Sequence, residues 1–108
     1  MTEIDVHQLH AARRDGAEII DGREPGEYVA GHVPGARLIP MSQLGARVQE
    51  IPRDRRVYVV CASGNRSSAM TDLLRARGVD AVNVAGGTKA WGSAGFPVVE
   101  GPHAACRR

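Results

Sequence analysis

Cys61 is the residue with the clearest chemical potential in this chain. It closes the run Val57-Tyr58-Val59-Val60 and is followed by Ala62-Ser63-Gly64-Asn65-Arg66-Ser67-Ser68. An apolar run rich in β-branched residues reads as a strand covered on both faces of a parallel sheet. A helix is expected to begin near Ser67, with Ser67 and Ser68 as natural cap or first-turn residues. The loop between them is short, and Gly64 lets its backbone curl without a Cβ clash. The N–H groups of such a loop converge into an anion-binding nest, and the helix N-terminus adds the positive end of its dipole. A thiol at the centre of that nest has its pKa lowered, and the thiolate is the nucleophile. Arg66 either adds charge or braces the loop. A free cysteine is by default a small buried hydrophobe. The strand–Cys–Gly–Arg–helix context favours a reactive thiolate instead.

The elements that must hold this loop alternate along the chain. Strands are expected at Glu3-Ile4, Ala17–Ile20, Ala36–Ile39, Val57–Val60 and Ala81–Val84. Residues 6–14 form a helix with Val6 and Leu9 on one face and Asp5 as N-cap. Met41, Leu44, Val48 and Ile51 form a stripe that predicts one long helix. Residues 67–77 carry Met70, Leu73 and Leu74, with Gly78 at the C′ position. Thr88 is the expected cap of a last short helix containing Trp91. Strand–helix alternation of this kind implies βαβ units and an α/β fold with helices on both faces of a parallel sheet.

Ligands in open α/β sheets bind beyond the carboxyl ends of the strands. Loops starting at Asp21, Pro40, Cys61 and Ala85 share that edge. Arg53-Asp54-Arg55-Arg56 precedes its strand, so it belongs to the opposite edge as a solvated charged turn.

Composition narrows the classes. The chain has 108 residues, room for one domain, with 43% hydrophobic and 24% charged residues, an ordinary globular profile. A net charge of +2 calls for neither a nucleic-acid nor a membrane partner. No apolar run approaches a membrane span, and the first residues lack a signal-peptide core. The expected compartment is the cytoplasm, where thiols stay reduced. The two cysteines are then separate thiols rather than a disulfide scaffold.

Three blocks in order carry a family resemblance. They are Asp21-Gly22-Arg23-Glu24-Pro25-Gly26-Glu27-Tyr28 running into Gly31-His32-Val33-Pro34-Gly35-Ala36, then the Cys61-to-Ser67 loop, then Ala85-Gly86-Gly87-Thr88-Lys89-Ala90-Trp91 with Gly95-Phe96-Pro97-Val98. Together they resemble a single-domain rhodanese, a sulfurtransferase. The resemblance implies a three-layer α/β/α domain over residues 1–100, with a five-stranded parallel sheet in the order 1-5-4-2-3. Residues 101–108 are expected to form a flexible tail. It also implies Cys61 as the persulfide-forming nucleophile and the backbone of Ala62, Ser63, Gly64, Asn65, Arg66 and Ser67 as its cradle. Asp21 and Arg23 would support the loop from the neighbouring strand end.

The implied reaction moves a sulfane sulfur from a donor such as thiosulfate, through Cys61, to cyanide, a cellular thiol or a sulfur-carrier protein. It needs no metal or organic cofactor. Cysteine phosphatases of related architecture use a longer His-Cys-x5-Arg loop to enclose a tetrahedral phosphate. Here the loop is Cys-x4-Arg, with Val60 in the His position, which suits a persulfide better. A phosphatase or arsenate reductase is the less favoured alternative. A non-catalytic interaction or sensor module is the alternative from a different class. Rhodaneses dedicated to thiosulfate often carry a basic residue after the cysteine. This chain has Ala62 there, which leaves Arg66 as the cation within the loop.

Other residues have plainer readings. Arg23 and Glu27 are spaced to pair as a structural brace. Asp21 caps or braces, His32 structures its turn, and Trp91 fills core. Gly86 and Gly87 permit close backbone approach or a tight turn. Cys106 reads as an incidental tail thiol, with a resolving thiol or half of a metal site with His103 as the sharper alternatives.

Overall fold

The structure, a computed structural model, describes residues 2–104. Strands β1 (Glu3–Ile4), β2 (Glu18–Asp21), β3 (Arg37–Leu38), β4 (Val57–Val60) and β5 (Ala81–Val84) form one sheet. Their order is β1-β5-β4-β2-β3, and every neighbouring pair is parallel. Helices α1 (Val6–Arg14), α2 (Pro25–Ala30), α3 (Leu44–Arg47), α4 (Asn65–Ala76) and α5 (Gly87–Ser93) connect them. This is the strand order and layering that the family resemblance implied.

The alternation of side chains along β2 and β4 creates two cores. Ile20, Val57 and Val59 face one way and pack with Leu44, Met70 and Leu74. Ile19 and Val60 face the other way and pack with Leu9, Val82 and Trp91. The central strands are therefore apolar on both sides, as their sequence required.

Local chemistry explains two helix ends. Asp5 caps α1 in a reciprocal box: its side chain accepts from the Gln8 N–H, and Gln8 Oε1 accepts from the Asp5 N–H. After α4, Gly78 at φ 86 turns the chain back. The Gly78 N–H donates to the Arg75 carbonyl and the Val79 N–H to the Leu74 carbonyl, a Schellman closure.

Two expectations are corrected. The segment after β3 is not one long helix. It is a 3₁₀ turn (Met41–Gln43), the single turn α3, and a second 3₁₀ turn (Val48–Glu50). Gly45 weakens the middle. Pro52 forces Ile51 into extended geometry at φ −98, ψ 128. Leu44, Val48 and Ile51 still reach the core, while Met41 is exposed. At α5, Gly86 rather than Thr88 occupies the cap position.

Residues 101–104 are tied to the body of the domain. The Gly101 N–H donates to the Val29 carbonyl at 2.9 Å and the Gly35 N–H to the Ala104 carbonyl at 2.8 Å. Buried His32 stacks on Tyr28 and spans the chain: Nδ1 lies 2.8 Å from the Tyr28 carbonyl and Nε2 lies 2.9 Å from that of His103. Cys106 lies outside the described residues.

Candidate active site

Parallel strand order brings the ends of β2, β4 and β5 to one edge. Cys61 follows β4 at its centre, with its side chain buried. The chain then curls through Gly64, whose φ of 106 is a left-handed conformation that glycine adopts without a Cβ penalty. Gly64 is the N-cap of α4, so the helix begins at Asn65, two residues before Ser67. That earlier start makes Ser67 the third helical residue, whose N–H has no partner inside the helix and is directed at the thiol.

Sγ of Cys61 receives the Gly64 N–H at 3.1 Å, the Ser67 N–H at 3.3 Å and the Ser67 hydroxyl at 3.3 Å. Burial by itself pushes the thiol pKa up. The hydroxyl and N–H of Ser67 and the N–H groups of Gly64 and Ser63 outweigh that and lower it. The arrangement is a thiolate cradle made largely of main chain. Ser67 is itself positioned by Asn83 of β5, whose Oδ1 lies 2.6 Å from the Ser67 hydroxyl. Asn83 was not singled out in the sequence. Its signal was a polar residue inside the buried strand Ala81-Val82-Asn83-Val84.

The start of α5 closes the other side of the loop. The Thr88 N–H donates to the Cys61 carbonyl at 2.8 Å and the Lys89 N–H to the Ala62 carbonyl at 3.0 Å. Gly87 allows this approach, because a Cβ there would collide with both carbonyl oxygens. Gly64 packs closely against Gly86, where a Cβ at Gly64 would make a tight contact at 3.3 Å from the Gly86 nitrogen.

The charged residues sort differently from the expected Arg23–Glu27 brace. Arg23 instead pairs with Asp21, Nη2 to Oδ2 at 2.9 Å, and donates to the Gly31 carbonyl at 2.7 Å. Both members of the pair are buried. Arg23 precedes the first residue of α2, so it does not share a helix face with Glu27. Glu27 reaches Arg66 across the site in two hydrogen bonds of 2.8 and 3.0 Å. Those bonds and the Glu24 N–H hold its carboxyl down at about 2. Arg66 thus braces the loop, while the Ser63 and Asn65 side chains are exposed and Ala62 is partly so.

The chain matches the rhodanese-like domain family over residues 5–94. It belongs to that family. The rhodanese-like fold recurs in known relatives. A sulfurtransferase of Allochromatium vinosum is 36% identical over 102 residues, covering 92% of this chain and 95% of that one. An uncharacterized Bacillus subtilis protein, YqhL, is 46% identical over 77 residues and 70% of this chain, and the match spans 61% of YqhL. The crystal structure of a rhodanese-related protein from Thermoplasma volcanium superposes with a TM-score of 0.86 at 33% identity, covering 92% of this chain and 98% of that one. The rhodanese assignment makes this chain a member of a sulfurtransferase family.

At the opposite sheet edge, a groove of about 270 Å³ is lined by Asp15, Glu18, Arg55, Arg56 and Tyr58. Its charges find partners nearby, Arg55 with Glu18 and Arg56 with Asp80, as a solvated turn would. Among the described residues, no three His, Cys, Asp or Glu side chains gather to hold a metal. No helix there is long and apolar enough to cross a membrane.

Proposed function

We propose that this rhodanese transfers sulfane sulfur through Cys61, with thiosulfate or a comparable small donor as the first substrate. The observation that supports it is the buried Sγ with Gly64 N–H, Ser67 N–H and Ser67 hydroxyl directed at it. The Cys61 thiolate attacks the outer sulfur of thiosulfate. A new S–S bond forms, the donor S–S bond breaks, and its electron pair leaves with sulfite. The terminal sulfur of the resulting persulfide carries the negative charge, and the loop amides stabilise it. An acceptor then attacks that outer sulfur. Cyanide leaves as thiocyanate and the Cys61 thiolate returns, closing a two-step covalent cycle. In the cell the acceptor is a thiol or a sulfur-carrier protein, and the compartment is the reducing cytoplasm.

Intact-mass spectrometry tests this reading. Reduced protein is incubated with thiosulfate beside Cys61→Ser and Cys106→Ser variants. The expected result is a gain of one sulfur atom, removed by cyanide and absent only in Cys61→Ser. An adduct that survives in Cys61→Ser refutes it.

A further inference from the structure

Three cations lie on the segments that flank Cys61: Arg23 follows Gly22, whose N–H donates to the Val60 carbonyl, Arg66 lies in the loop itself, and Lys89 lies at the start of α5. Two are already engaged. Arg23 is buried against Asp21 and the Gly31 carbonyl. Arg66 is held in two hydrogen bonds by Glu27, whose carboxyl, held down at about 2, stays ionised at working pH. Lys89 differs. Its N–H holds the Ala62 carbonyl at 3.0 Å, which fixes its backbone beside the residue that follows Cys61. Its side chain is exposed. Among the described residues it forms no ion pair. A flexible four-carbon stem carries its ammonium as a mobile point charge. Ala62 contributes only a methyl group.

We propose that Lys89 recruits the anionic sulfur donor to Cys61, and that Glu27 withdraws Arg66 from that role. The ligand class is a small anion whose outer sulfur is transferred, thiosulfate being the dianionic case. The inference rests on the sulfurtransferase reading, but its electrostatic part is measurable without sulfur transfer.

The experiment uses the full chain carrying Cys106→Ser, so that Cys61 is the one thiol. Iodoacetate and iodoacetamide alkylate the thiolate by the same displacement of iodide and differ by one negative charge. At low ionic strength, Lys89→Gln should lower the iodoacetate-to-iodoacetamide rate ratio about threefold, as expected for one screened unit charge near the mouth. The iodoacetamide rate should stay within about twofold, and Lys89→Arg should restore the ratio. Molar salt should erase the difference, since the Debye length falls to about 3 Å. For thiosulfate, with twice the charge, kcat/KM should fall about tenfold through KM. An unchanged ratio in Lys89→Gln overturns the proposal, as does an equal fall with both reagents, which marks a structural role. A lowered ratio in a protein that never takes sulfur from thiosulfate upholds the steering by Lys89 and refutes the transfer reaction. Sulfur transfer with an unchanged ratio does the reverse.

Discussion

Replacing Ser67 with Ala should raise the Cys61 thiol pKa by about one unit. The hydroxyl lies 3.3 Å from Sγ and also faces Asn83 Oδ1 at 2.6 Å. It has one proton for two acceptors. A hydrogen bond to a charged group is worth about 1.5–3 kcal/mol, and sharing places this one near the lower limit. At about 1.4 kcal/mol per unit, losing it weakens the thiolate by about one unit. The sign follows from which form the bond favours: a donor to the anion lowers the pKa, so removing the donor raises it. Cys61 is buried at 1% exposure, so solvent does not replace the lost partner. The assay is thiolate absorbance and iodoacetamide alkylation across pH, on a Cys106→Ser background. The alkylation profile should move about one unit to higher pH while its high-pH plateau is kept or rises slightly, because a more basic thiolate is intrinsically more nucleophilic. A profile that does not move, or moves to lower pH, refutes the assignment of Ser67 as a thiolate donor.

Other perturbations probe the remaining supports. Cys61→Ser should abolish sulfur transfer while circular dichroism and melting stay near wild type, since one small buried atom is exchanged for another. Gly87→Ala should lower stability by about 1–3 kcal/mol and displace the loop, read by melting and by alkylation rate, because its Cβ meets the Cys61 and Ala62 carbonyls. Arg23→Met should cost about 3–5 kcal/mol in chemical denaturation by leaving the buried Asp21 carboxylate unpaired. Glu27 is depressed in the folded state from 4.5 to about 2. Its contribution is therefore present above about pH 4.5 and lost as pH falls toward 2. The Glu27–Arg66 pair is part-exposed at 38% and 36%. Glu27→Gln should thus cost at most about 1 kcal/mol at pH 7, a melting drop of up to about 5 °C that disappears near pH 2.

How much of this was legible in sequence depended on distance along the chain. The strand ending at Cys61, the glycine turn and the capped α1 are local, and their residue types dictated them. The sheet order came from the family resemblance rather than from any spacing. Partner choice across the fold was not legible. Arg23 and Glu27 are four apart, yet Arg23 precedes the helix and folds back on Asp21. Glu27 finds Arg66, 39 positions away. Asn83 meets Ser67 only because β5 lies beside β4. The break in the helix after β3 is hidden by an apolar stripe of helical period, while Gly45 and Pro52 act against continuity. The contacts of residues 101–104 are not legible either, because their partners, the Val29 carbonyl, the Gly35 N–H and the His32 imidazole, lie about 70 positions away in sequence.

The loop separates two jobs among different atoms. Main-chain N–H groups and buried Ser67 set how reactive the sulfur is, whereas Ala62, Ser63 and Asn65 turn partly or wholly outward. Substitution at those three outward positions should leave the hydrogen bonds to Sγ unchanged, because those donors are the main chain and Ser67. If the proposed transfer reaction holds, such a layout would let exchanged rim side chains alter donor and acceptor preference while the donors around Sγ stay in place. A library randomised at 62, 63 and 65 would sample partner preference at nearly constant intrinsic thiol chemistry.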